Sequence, residues 1–354
     1  MSPVDRANLR DRISAALATF LAHQRAVLAG IDSVLIPVVD TIETFVMGGG
    51  KRLRPAFAYW GYRGAGGIDS DEVVAAVSAL ELVQASALIH DDVMDASDTR
   101  RGEPAVHKRF ANMHQRRGWE GDGDAFGAGS AILLGDLCLA WSDELLLTSG
   151  LEVAAMLRAR PVFDLMRTEV IAGQYLDVHT QATGDTSMLR ASTVARYKSA
   201  KYTVERPLLL GAAIADAGPE IQAAYSAYGL PLGEAFQLRD DILGVFGDPA
   251  RTGKPAGDDL REGKRTYLVA AAFAAADEAT QQTLRRCLGN PDLDADGIET
   301  LRSLFIETGA LRQTEERIAQ LTDVALAALR EAPIAEEARA VLADLADAAT
   351  HRMD

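Results

Sequence analysis

Ser70–Asp95 reads SDEVVAAVSALELVQASALIHDDVMD, and the fold class follows from it. Apolar residues recur at helical spacing from Val73 to Ile89. Asp69 or Ser70 can cap the helix, and Asp71 and Glu72 suit its positive N-terminal end. The same periodicity predicts helices over 3–28, 35–47, 130–148, 153–180, 193–215, 220–245, 265–274, 299–307 and 311–353. Alternating strand-like runs are nearly absent, so the expected class is all-α. The breaks between helices are short and none reads as an interdomain linker, which predicts a single domain over residues 1–354. Arg116–Gly129 is a longer Gly/Asp-rich stretch, expected to be a mobile surface excursion. Pro231 falls inside a helical segment and is expected to kink it or mark its boundary.

Composition narrows the function. The 354 residues carry a net charge of −15, which argues against a nucleic-acid-binding surface. With 48% hydrophobic residues the chain can bury a large core. Cys138 and Cys287 are too few and too far apart for a disulfide framework or a zinc site, and both read as small apolar residues in helices. No signal-like segment opens the chain. The longest uninterrupted apolar run, Tyr267 to Ala276, falls short of the roughly 18 residues of a membrane span. A cytoplasmic protein without a transmembrane segment is expected.

Three motifs mislead. PDLDADGIE, Pro291–Glu299, opens like a calcium loop, but Ser303 stands where the loop needs its bidentate glutamate; a polar turn between helices is expected. GGGK, Gly48–Lys51, lacks the first glycine and the Ser/Thr of a phosphate loop. Asp122 and Asp124 read as solvated charge in a glycine-rich segment.

Chemistry enters at HDDVMD, His90–Asp95. Asp91 and Asp95, four residues apart, lie on one helix face about 6 Å apart along the axis, with Asp92 beside them. Three like charges at the end of a largely buried helix call for a cation, and Mg²⁺ prefers such oxygens. Alone, the motif reads equally as a solvated acidic helix end. A second pair, Asp240 and Asp241 in FQLRDDILGVFGD, breaks the tie: two acidic helix ends imply two carboxylate walls facing a shared cavity. Lys51, Arg52 and Arg54 in GGGKRLRP, Arg100 and Arg101, Lys198 and Lys201, and Lys254 and Lys264 supply anion grips. Together these predict a site for two diphosphate substrates.

From GGGKRLRP through ELVQASALIHDDVMDASDTRRG, EVIAGQYLD, YKSAKYT and FQLRDD to GKPAGDDLREGKRT, residues 48–266 resemble the trans-isoprenyl diphosphate synthases, or polyprenyl synthetases, in order and spacing. The resemblance implies a helical barrel of the isoprenoid synthase type around a deep central cavity, three Mg²⁺ ions and a homodimer. It implies that Asp91, Asp92 and Asp95 form one metal wall, and Asp240 and Asp241 the other. Lys51, Arg54 and Gln84, with Arg101, match the grip on isopentenyl diphosphate. Arg100, Lys198, Lys254 and Lys264 match the grip on the allylic diphosphate, the expected primers being dimethylallyl, geranyl or farnesyl diphosphate. Gln174 and Asp177 match an element supporting the metals, while Ser199 and Gln237 match polar positions near the reacting carbon. Two departures stand out: Gly244 replaces a frequent third aspartate, and Gln84 a frequent histidine.

The implied reaction is loss of pyrophosphate to give an allylic cation, followed by attack of the isopentenyl double bond. A terpene cyclase would show a different second metal motif and no isopentenyl grip, and a non-catalytic partner subunit would show eroded acidic motifs. Product length is expected from the face of the Ser70–Asp95 helix. Ser86 and Ala87 are small, so the growing tail passes them toward Val83 and Leu80, favouring geranylgeranyl diphosphate over farnesyl or longer products.

Overall fold

The computed structural model describes residues 3–247 and 257–350. Helices account for nearly all of the described secondary structure: α1 (Leu9–Ile31), α2 (Ile36–Met47), α3 (Leu53–Gly64), α4 (Asp71–Met94), α5 (Val106–Arg117), α6 (Gly123–Leu147), α7 (Val153–Thr183) and α8 (Met188–Val194). A π-helix (Ala195–Glu205) then leads into α9 (Arg206–Ile214) and α10 (Pro219–Phe246). The chain continues with α11 (Asp258–Glu262), α12 (Tyr267–Ala275), α13 (Glu278–Cys287), α14 (Ala295–Glu307), α15 (Ala310–Glu331) and α16 (Glu336–Thr350). The all-α expectation holds.

Two compact units emerge, Met1–Tyr59 with Gly67–Leu157, and Trp60–Gly66 with Arg158–Asp354. In the first, α4 lies along α6, and α5 packs on α6. Ser70 caps α4 as expected, its hydroxyl accepting the Val73 N–H at 3.4 Å. Leu80, Val83 and Ile89 of this helix are buried. Both α4 and α6 are long and apolar enough to cross a membrane, although neither contains an uninterrupted apolar run of that length. In α4, however, 72% of the apolar window is buried within the protein, the mark of a core helix.

Arg116–Gly129 is not a loose excursion. Gly118 ends α5 in a left-handed conformation, and Asp122 starts α6 by accepting the N–H groups of Asp124 and Ala125. His114, Trp119 and Phe126 cluster between the two helices in edge-to-face and tilted contacts, with centroid separations of 5.3–5.9 Å. Asp122 is thus a helix cap rather than merely solvated charge. Asp294 plays the same part for α14, accepting the Gly297 N–H at 2.8 Å, so the calcium-like segment is indeed a turn between helices.

In the second unit α10 packs against α15 and the π-helix. Pro231 does not end α10, which runs on to Phe246. Tyr225 and Tyr228 are buried on it, and their hydroxyls donate to the carbonyls of Gly61 and Leu342 at 2.7 and 2.6 Å, so neither polar group is stranded. The π-helix is held by backbone-to-backbone approach. A Cβ at Gly173 of α7 would lie 2.3 Å from the Lys198 nitrogen, and one at Gly233 of α10 would lie 2.4 Å from the Ala200 oxygen. Only glycine permits either contact. A further core forms where Val245, Leu268, Phe273, Leu301 and Phe305 meet.

Candidate active site

In the first unit α4 stops at its acidic motif. The Asp95 N–H bonds to the Asp91 carbonyl, and the next residue, Ala96, turns left-handed at φ 53°. A two-residue hairpin follows, Thr99–Arg100 pairing with Glu103–Pro104. Its central residues, Arg101 and Gly102, both have positive φ, as the twist of a tight hairpin requires. The sequence reading took TRRGEP as a plain break and missed this device. The hairpin aims Arg100 back at α4. Its Nε donates to Asp92 at 2.9 Å, its Nη2 donates to the same oxygen, and Asp91 lies 3.8 Å away.

The three aspartates therefore differ. Asp92 is fully buried in its ion pair with Arg100, whereas Asp91 and Asp95 are partly exposed. Arg100, matched to a diphosphate grip, here neutralises the acidic motif itself.

GGGKRLRP is likewise divided. Lys51 is exposed and Arg54 half-buried, while Arg52, at φ 50°, turns inward. Its Nη1 donates to Glu81 of α4 and its Nη2 to the Val46 carbonyl at 2.7 Å. Arg101 donates to the carbonyls of Phe45 and Gly49 at 3.4 and 3.3 Å. Gln84, half-buried, follows Glu81 by three residues on α4.

In the second unit Asp240 and Asp241 sit near the end of α10. Asp241 is buried and accepts from the Gln237 amide, one turn earlier, at 2.7 Å. Burial pushes its pKa up to about 7; the nearby charges of Asp259, Asp240 and Asp177 push the same way. Lys198 of the π-helix donates to Asp177 at 2.6 Å, and Lys264 lies 2.7 Å from Glu262 and 3.4 Å from Asp259. Ser199 and Gln174 are half-buried. Lys254 lies outside the described residues.

Asp259 and Glu262 were missed in the sequence, where DDLREGK served only to locate lysines. Gly244 explains the position of Asp259: a Cβ there would lie 1.8 Å from the Asp259 carboxylate. Asp259 thus fills the space beside a position at which the family often carries an aspartate.

Among the described residues, no three His, Cys, Asp or Glu side chains converge as they would around a bound ion. The donors at both centres are nevertheless carboxylates, and Asp241 is a buried acid crowded by other acids. Both features fit a hard divalent cation such as Mg²⁺.

Residues 37–304 match the polyprenyl synthetase family. With a TM-score of 0.94 and 42% identity, the fold matches a geranylgeranyl pyrophosphate synthase from Corynebacterium glutamicum, solved with isoprenyl diphosphate and magnesium; the match covers 97% of this chain and 98% of that one. A geranylfarnesyl diphosphate synthase from Aeropyrum pernix is 32% identical over 276 residues, 77% of this chain and 80% of the relative. A geranylgeranyl diphosphate synthase from Saccharolobus solfataricus is 32% identical over 292 residues, 82% of each. Fold and relatives define a trans-prenyltransferase with the all-α isoprenoid synthase fold. The chain belongs to the polyprenyl synthetase family.

The burial of Asp241 has a measurable cost. In the unfolded chain this carboxyl ionises near 4, but in the fold it holds its proton to about 7. Stability is therefore lost as pH rises through that window, and above it a charge stays buried. Asp241→Asn keeps an acceptor for Gln237 and removes the charge. The melting temperature of the metal-free variant should exceed wild type at pH 8 and equal it at pH 4. Equal melting at both pH values would show that no such charge is buried.

Proposed function

We propose that this prenyltransferase joins isopentenyl diphosphate head to tail with an allylic diphosphate, giving geranylgeranyl diphosphate as its main product. The observation that carries the reading is the buried, acid-crowded Asp241, a position that favours a cation, in a chain whose Corynebacterium relative was solved with isoprenyl diphosphate and magnesium. Asp91, Asp92 and Asp95 on α4, and Asp240 and Asp241 on α10, would hold Mg²⁺, three ions with substrate bound. When bound, Mg²⁺ supplies the positive charge that stabilises a departing pyrophosphate.

The chain's own residues do the rest. Lys198, Lys264, Arg100 and Lys254 grip the allylic diphosphate; the first three are held by acids until that anion competes for them. Gln237 gives its N–H to Asp241, which leaves its carbonyl oxygen, with Ser199, to stabilise the allylic cation. Lys51, Arg54, Gln84 and Arg101 hold isopentenyl diphosphate so that its double bond attacks the allylic cation once the C–O bond has broken. The proton lost from the new chain passes to the leaving pyrophosphate. Gln174 and Asp177 act through Lys198 and the metal site. Positioning and charge neutralisation carry the reaction, and no covalent nucleophile is used.

Removal of metal by EDTA should abolish turnover. Asp91→Ala or Asp240→Ala should lower kcat by at least ~10²-fold, the scale of losing strong electrostatic stabilisation. Full activity of Asp91→Ala in metal-free buffer would sink the mechanism.

Product length rests on α4, where Leu80, Val83 and Ser86 are buried and Ala87 half-buried. Each helical turn descends about 5.4 Å, comparable to one prenyl unit. Ala87→Phe or Ser86→Phe should shorten the main product, and Leu80→Ala should lengthen it, as sized by chromatography after dephosphorylation. Unchanged products in all three would remove this face from the ruler. The geranylfarnesyl diphosphate synthase among the relatives favours a longer product as the second reading.

A cytoplasmic homodimer completes the proposal. Ile132 and Leu133 on α6 are 47% and 64% exposed, an apolar surface that a second copy would cover. Leu133→Arg should sediment as a monomer where wild type sediments as a dimer; a monomeric wild type would reject this.

A further inference from the structure

The stretch from Gly48 to Arg54, with Arg101, gathers cations whose mutual repulsion should push the turn open. One buried acid, Glu81, lies among them. Its side chain is 9% exposed and that of its partner Arg52 only 4%. Arg52 is no diphosphate grip in this arrangement, because it is buried and its Nη1 and Nη2 donate inward to Glu81 and Val46.

Those engagements tie three elements together. Val46 lies in the last turn of α2, where helix carbonyls lack intrahelical partners and favour a cation. Arg52 satisfies one of them, while Arg101 reaches the carbonyls of Phe45 and Gly49 from the hairpin. Gly49 and Gly50 both stand at φ 117°, and a Cβ at Gly50 would come within 3.6 Å of Arg101 and 4.0 Å of Glu81. The turn is therefore folded tightly around Glu81. Because Glu81 belongs to α4, the ion pair fixes where Lys51 and Arg54 stand relative to Gln84.

We propose that Glu81 and Arg52 are positioning residues for isopentenyl diphosphate, an internal ion pair that holds the GGGKRLRP turn against α4 so that Lys51 and Arg54 face the diphosphate. This rests on the assignment of Lys51 and Arg54 to that substrate.

The idea can be tested by sign. Glu81 is a negative charge in a site meant for an anion. If it acted by charge alone, neutralising it would raise the local positive potential and tighten diphosphate binding. If it positions the turn, neutralising it frees Arg52 and loosens binding. Kinetics of intact, Mg²⁺-loaded Glu81→Gln, varying each substrate in turn, should show KM for isopentenyl diphosphate raised by roughly ten-fold or more. That rise corresponds to about 1.4 kcal/mol. KM for the allylic diphosphate should change by less than about two-fold.

Arg52→Lys keeps the charge but cannot span Glu81 and Val46 together. It should show the same selective rise, and it answers the question if Glu81→Gln fails to fold. An unchanged or lowered KM for isopentenyl diphosphate in a folded variant, or an equal rise for both substrates, would overturn the proposal. Arg54→Ala serves as the control on the underlying assignment. An unchanged isopentenyl KM in that variant would overturn the assignment of the site, and with it this inference. A raised KM there, with Glu81→Gln unchanged, would overturn the inference alone.

Discussion

Desolvation of carboxylates is the constraint that shapes both acidic centres. The acids suited to a divalent cation are buried or half-buried here, and a buried carboxylate needs either a counter-charge or a retained proton. The chain answers with internal cations where it can. Asp92 has Arg100, Glu81 has Arg52, Asp177 has Lys198, and Glu262 has Lys264. Asp241 receives the neutral amide of Gln237, whose hydrogen bond favours the charged form, but burial among other acids outweighs it and raises its proton affinity. The same basic residues thus balance internal acids and, on the proposed reading, grip anionic substrates.

Close backbone contact is the other means of construction. A π-helix is uncommon, and its presence at Ala195–Glu205 shifts the register of Lys198 and Ser199 from that of a regular helix. Two bare glycines, one on each neighbouring helix, let the segment sit against backbone rather than side chains. The wide turn is thus supported from both sides, which keeps Lys198 within reach of Asp177.

Much of this was legible in the sequence, for identifiable reasons. Long amphipathic or apolar helices announce themselves by period, and α4, α7 and α10 did so, whereas the single helix expected over 311–353 breaks at 332–335 into α15 and α16. Ser70 followed from capping chemistry, the turn before α14 from the glutamate that a calcium loop would need at Ser303, and the acidic motifs from their spacing. The shorter helices were harder. Leu53–Gly64 begins inside a basic motif, and Val106–Arg117 carries only a narrow Val106/Phe110 stripe in an otherwise polar sequence, so both are easily passed over. The hairpin at Thr99–Pro104 was too brief for any strand pattern. Long-range ion pairs are invisible to spacing altogether: GGGKRLRP does not reveal that its middle arginine faces inward, since Glu81 lies 29 residues away. Asp259 was hidden for the same reason.

Gly244 and Asp259 form a coupled pair of positions. Restoring the aspartate often found in relatives at 244 would look like a conservative repair in any averaging of family sequences. Here the first side-chain carbon of that residue would land 1.8 Å from an oxygen already in place. That oxygen is the free end of a flexible side chain, so an aspartate grafted at 244 would push the Asp259 carboxylate aside, away from Lys264, and a change at one position resets the acid at the other.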